Sequence, residues 1–132
     1  MKRRLQIESD FDIPSSTPQQ RSQSRYGGNY ASEGLKYARA AWKALLEKHV
    51  PTRPFEAPRM LAVTLYYHTV DKRKNMKHKT TRPDATNILK LVEDVMQELG
   101  FYNDDNGNTV FCTKYWTSGP SRVSIKLEEQ DK

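Results

Sequence analysis

The sequence predicts an α+β fold, a mixed β-sheet with two amphipathic helices in the order βαβαββ, and three observations carry that reading. Apolar residues alternate in four short segments, they recur at spacings of three and four in two longer ones, and Pro, Gly, Ser and Asn gather between them. A chain of 132 residues accommodates one small domain, 1–132, and no second.

Leu5, Ile7, Phe11 and Ile13 fall at odd positions with polar residues between them, the mark of a half-buried strand, which Pro14 ends. Segment 14–31, rich in Ser, Gln, Pro and Gly, is expected to be a long mobile loop. Its Arg21, Arg25, Tyr26 and Tyr30 combine charge with rings that can stack on bases, although an ordinary connection has the same composition. A helix is predicted over 32–49, starting at Ser32 and Glu33, with Leu35, Ala38, Trp42, Leu45, Leu46 and His49 on one face and Pro51 as its stop. Leu61, Val63, Leu65 and Tyr67 give the second strand. Ile88, Leu91, Val92, Val95, Met96 and Leu99 place a continuous apolar arc on a helix over 86–99, with Asn87, Lys90, Asp94 and Glu98 opposite. After the Asn/Asp/Gly turn at 102–108, a third strand runs over about 108–117. Ser118-Gly119-Pro120 turns the chain, and Val123, Ile125 and Leu127 alternate in the fourth.

The same residues exclude several function classes. No apolar run nears the roughly 18 residues of a membrane span, and the opening MKRRLQIESD lacks the apolar centre of a signal peptide. The expectation is a cytoplasmic protein with no membrane partner. Cys112 is a lone cysteine in mid-strand, read as a core thiol, and His49, His68 and His78 lack metal-site spacing. No glycine-rich loop opens a helix, so no nucleotide cofactor is expected. Asp104-Asp105-Asn106-Gly107 is not a calcium loop, because Gly107 at the sixth position puts Tyr102 at the first and Thr113 at the twelfth.

What remains is charge and carboxylates. Segment 71–82, DKRKNMKHKTTR, sets Lys72, Arg73, Lys74, Lys77, Lys79 and Arg82 against Asp71 alone, so it holds nearly all of the chain's net +6. A basic loop after a strand attracts polyanions, nucleic acid first, though a solvated loop would have the same composition. A basic RNA-binding domain would fit the charge, but no RNA-binding motif accompanies it. Asp84 follows this run, and Asp104 and Asp105 follow the second helix. Carboxylates beside a cationic loop suit Mg²⁺-dependent phosphodiester hydrolysis; equally, Asp84 serves as a helix cap and Asp104-Asp105 as turn residues.

Arg82-Pro83-Asp84-Ala85-Thr86-Asn87-Ile88-Leu89-Lys90, then Asp94, then Gly100-Phe101-Tyr102-Asn103-Asp104-Asp105, resembles the RusA family of Holliday junction resolvases, whose pattern runs R-x-D-x-D-N-L-x-K, a helix, then G-F-x-x-D-D. The resemblance implies a dimeric phage or prophage endonuclease of the bacterial cytoplasm. Such an enzyme nicks four-way DNA junctions in symmetric pairs with Mg²⁺, or Mn²⁺ in its place. By position it implies Asp84, Asp105 and Lys90 as catalytic residues, with Asp84 and Asp105, helped by Asp104, as metal ligands; the basic residues Lys72, Arg73, Lys74, Lys77, Lys79 and Arg82 then become DNA contacts, with loop 71–83 ordering on DNA. Thr86 departs from the pattern, standing where the family has a second aspartate. That loss makes a junction-binding module without cleavage the alternative reading. Geometry adds a constraint, because Asp84 and Asp105 flank a helix about 21 Å long. Either residues 100–105 run back extended along it, or the site takes one carboxylate from each subunit of a two-fold dimer.

Overall fold

The computed structural model describes residues 2–15, 21–23, 29–31 and 33–132. In chain order these form β1 (Arg4–Asp10), β2 (Arg21–Gln23), β3 (Asn29–Ala31), α1 (Glu33–Leu46), β4 (Arg59–His68), α2 (Ala85–Leu99), β5 (Asn108–Thr117) and β6 (Arg122–Glu129). The α+β class and the order of the six principal elements are as the sequence predicts. The difference is a short antiparallel ribbon, β2 with β3, inside the polar segment read as a loop. Arg25, Tyr26 and the expected helix start Ser32 lie outside the described residues. The first helix closes with a single 3₁₀ turn at Glu47–His49, the tightened last turn usual before a proline.

The four-stranded sheet has the order β1-β6-β4-β5, with β4 and β5 parallel and β6 antiparallel to both β4 and β1. Its inner face is set by odd-numbered residues: Ile7, Leu61, Val63, Leu65, Val123, Ile125 and Leu127 are all buried. Against them pack Leu35, Ala38, Trp42, Leu45 and Leu46 of α1 and Ile88, Leu91, Val92, Val95 and Met96 of α2. β5 and β6 are consecutive but do not pair. The Ser118–Ser121 link passes over the end of β4, where Thr69 N donates to Thr117 O (2.8 Å) and His68 N to Ser121 Oγ (2.9 Å). Side-chain pattern explains the placement: β6 has three fully buried apolar residues and needs a central position, whereas β5 exposes Val110 and Phe111 and tolerates the edge.

The crossover β4-α2-β5 positions the residues of interest. Asp84 caps α2, its Oδ1 accepting from Thr86 N (2.9 Å), and Gly100 ends it in the left-handed region at φ 95°, with Phe101 N donating to Met96 O (3.0 Å). Phe101 and Tyr102 then drop into the core, which holds the following acidic turn at the C-terminal end of α2. No helix among the described residues is long and apolar enough to cross a membrane.

Candidate active site

At the N-terminal end of α2 the basic segment lies along the upper edge of β5. Asp71 starts it, accepting from Arg73 N (3.1 Å) and pairing with the Arg73 guanidinium, and Lys72–Lys74 make one 3₁₀ turn. Backbone hydrogen bonds then join it to β5: Met76 N to Trp116 O (2.8 Å), Trp116 N to Lys77 O (2.9 Å) and Lys79 N to Lys114 O (2.9 Å). Lys72, Arg73, Lys74, Lys77 and Arg82 stay exposed, open to a polyanion. Lys79 is different: only 8% exposed, its ammonium lies 4.7 Å from the Trp116 ring centroid and 5.0 Å from that of Tyr67. It donates to Thr81 Oγ1 (2.6 Å) and to the Arg82 carbonyl. Asp84, Arg82, Thr81, Lys79 and Lys114 line a cleft of about 460 Å³.

At the other end of α2, Asp104 Oδ1 accepts from Asn106 N (2.9 Å) and Asp105 N donates to Gln97 Oε1 (3.2 Å). Arg59 holds this turn from beneath. Its buried guanidinium donates to Asn108 Oδ1 (2.6 Å), Phe55 O (2.9 Å) and the Asp104 carbonyl, and sits over the Tyr102 ring. Asn108 in turn donates to Glu93 Oε2 (3.1 Å). Burial lifts the Glu93 carboxyl above the ordinary carboxylate range; the Asn108 bond opposes this, and the charges of Asp105 and Asp94 add to it. Gly107 closes the turn so tightly that an added Cβ would stand 2.5 Å from Ala57 Cβ. Gly107→Ala is therefore expected to displace the acidic turn and to cost about 1–3 kcal/mol, read as a lowered melting temperature.

The structure thus places Asp84 before the first turn of α2 and Asp104 and Asp105 after its last, where the charge of Asp105 acts on Glu93; the helix between them is about 22 Å long at 1.5 Å per residue. After Gly100 the chain turns back along the last turns of α2, so that Asp105 N meets Gln97 Oε1 and Asn108 meets Glu93. Lys90 and Thr86 are exposed on α2 between the two ends. Among the described residues no three His, Cys, Asp or Glu side chains stand together so as to hold a metal ion. Cys112 is half-buried, and burial pushes its thiol up to about 11, which disfavours the nucleophilic thiolate.

Sequence reasoning passed over Arg59, Glu93, Gln97, Asn108 and Lys114. Two of these carried a usable signal: Arg59 shares the inward parity of Leu61, Val63 and Leu65, and Lys114 that of Cys112 and Trp116. A cation at an inward position of a strand asks for a partner, and each has found backbone carbonyls.

The family profile described as "Endodeoxyribonuclease RusA" matches residues 13–128, a span that takes in both helices, strands β4 and β5, all but the last residue of β6 and the whole run from Arg82 to Asp105. The chain belongs to the RusA family. It is also similar to the crossover junction endodeoxyribonuclease rusA of Lactococcus phage r1t, 29% identical over 131 residues, which is 96% of this chain and 98% of that protein. RusA membership thus rests on nearly the full length of the chain, and the acids at both ends of α2 lie inside the matched span.

Proposed function

We propose that this RusA-family chain is a Holliday junction resolvase, an endodeoxyribonuclease that cuts four-way DNA junctions by paired nicks, working as a homodimer with Mg²⁺ or Mn²⁺ in the cytoplasm of a phage's bacterial host. The observation that carries the reading is the placement of Asp84 directly behind a cationic segment on a RusA-family frame. Positive charge draws the DNA backbone to carboxylates that would otherwise repel it.

In one copy Asp84 and the acidic turn stand on either side of α2, and no three acids among the described residues come together to hold an ion. Two copies related by a two-fold axis bring them together if the N-terminal end of α2 in one meets the acidic turn of the other. Asp84 of one copy and Asp104 and Asp105 of the second would then hold the ion, which supplies Lewis-acid charge for phosphodiester hydrolysis. The two-fold axis generates the arrangement twice, once for each nick. Lys90, on the polar face between the ends, orients a phosphate.

The test is incubation with synthetic four-way junction, duplex and single-stranded DNA, with and without Mg²⁺. Mg²⁺-dependent paired nicks in the junction alone are expected. Tight junction binding without nicks would overturn the reading in favour of the binding module that Thr86 suggests. Thr86→Asp restores the missing charge and is expected to lower the Mg²⁺ concentration for half-maximal nicking by about tenfold. An unchanged Mg²⁺ dependence would mean that another carboxylate already fills that role.

A further inference from the structure

Three consecutive carbonyl-bearing residues lead into Asp84, and two lysines hold them. Lys114 Nζ, reaching out from β5, donates to Thr81 O (2.6 Å) and Pro83 O (2.5 Å), and Lys79 Nζ takes Thr81 Oγ1 and the Arg82 carbonyl between them. Neither ammonium forms an ion pair with a carboxylate among the described residues. Lys79 is buried between two aromatic rings, and both that burial and the neighbouring Lys114 draw it below its ordinary range. Two partly desolvated like charges side by side are an expensive way to fasten a loop. An apolar side chain in the Tyr67–Trp116 slot would pack there without the desolvation or the repulsion. Local arrangements that work against stability in this way concentrate at functional sites.

The geometry points to Lys79 and Lys114 as positioning residues of the nuclease site: by holding the Thr81, Arg82 and Pro83 carbonyls they fix the backbone from which Asp84 projects. Both residues line the same cleft as Asp84. The inference rests on the reading of Asp84 as a metal-holding carboxylate. Outer residues that orient such ligands typically affect metal affinity or activity by about tenfold to a hundredfold.

The experiment compares Lys79→Met, Lys114→Met, Lys114→Arg and Asp84→Asn in the full chain. It measures junction affinity, the single-turnover nicking rate at saturating protein, the Mg²⁺ dependence and the melting temperature. Both Met variants are expected to nick about tenfold to a hundredfold more slowly at saturation and to require more Mg²⁺. Removing one charge should weaken junction binding by less than about tenfold. Lys114→Arg, which keeps charge and donors, recovers part of the rate. Lys79→Met, with a thioether in an aromatic slot, melts at or above the parent while nicking more slowly, so stability and activity move apart. Parental nicking by folded Lys79→Met overturns the inference, as does a loss that vanishes at saturating protein or tracks a lowered melting temperature. If Lys114→Met does not fold, Lys79→Met decides. Parental nicking by Asp84→Asn would overturn the reading of Asp84 itself; an inactive Asp84→Asn beside two fully active Met variants would overturn the lysine inference alone.

Discussion

Asp84→Asn and Asp105→Asn are each expected to reduce junction nicking by at least about a thousandfold, the several kcal/mol that a held cation contributes to phosphoryl transfer. Neither change should unfold the chain. Asparagine caps a helix as well as aspartate does, so Thr86 N keeps its acceptor, and the Asp105 contact to Gln97 runs through the backbone N–H. The separation of the two residues by the length of α2 makes a mixture of the two inactive variants informative. In a two-fold pair with shared sites, one site of a mixed dimer receives both substitutions and the other receives neither. Random exchange in an equal mixture makes about half the dimers mixed, each with one working site of two, so about a quarter of parental nicking returns. The recovered product is nicked junction without paired resolution. If each site were built within one chain, every site in a mixed dimer would carry a substitution and nothing would return, which would defeat the shared site while leaving the assignment of the acids intact.

Those features of the fold that depend on side-chain period were legible in the sequence. Ile88, Leu91, Val92, Val95 and Met96 occupy one arc and are all buried, and Val123, Ile125 and Leu127 alternate inward on β6 as their spacing requires. The β2–β3 ribbon was not legible, because Arg21–Gln23 and Asn29–Ala31 are short, polar and without alternation. The Ser118–Ser121 turn could be located but not directed: nothing in its own residues says that it steps over β4, which depends on the greater burial demanded by β6. The site divides in the same way. Asp84, Asp104 and Asp105 stand out as acids at helix and turn boundaries, and α2 sets their distance through its rise per residue. The inward parity of Arg59 and Lys114 is legible but their partners are not, because these include main-chain carbonyls more than 30 residues away in sequence, Asp104 O and Thr81 O, and such carbonyls have no signature in composition. The basic segment reads as six equivalent cations, but the structure makes Lys79 internal and ties Arg73 to Asp71, because Trp116 and Tyr67 offer one lysine an aromatic slot.

Replacing Lys72, Arg73, Lys74 and Lys77 together with Gln should weaken junction binding far more than it changes the nicking rate at saturation. Each phosphate that a cation no longer neutralises lowers the slope of log affinity against log salt by about 0.9, so four such phosphates correspond to about 3.6 and to as much as a thousandfold in affinity near physiological salt. The structure lowers that ceiling. Arg73 already faces Asp71 at 3.0 Å, so its removal also frees an acid, and the three lysines are expected to account for most of the change. Lys74 lies 5.3 Å from the Trp116 ring centroid, and a junction that draws it toward phosphate should alter the tryptophan emission of the parent but not of the fourfold variant. The melting temperature should hardly move, since these four side chains are exposed and the segment is joined to β5 through backbone groups that Gln retains. A slope unchanged by the fourfold substitution would place the DNA on another face of the molecule, and Asp84 would then have no cationic segment to bring a phosphate to it.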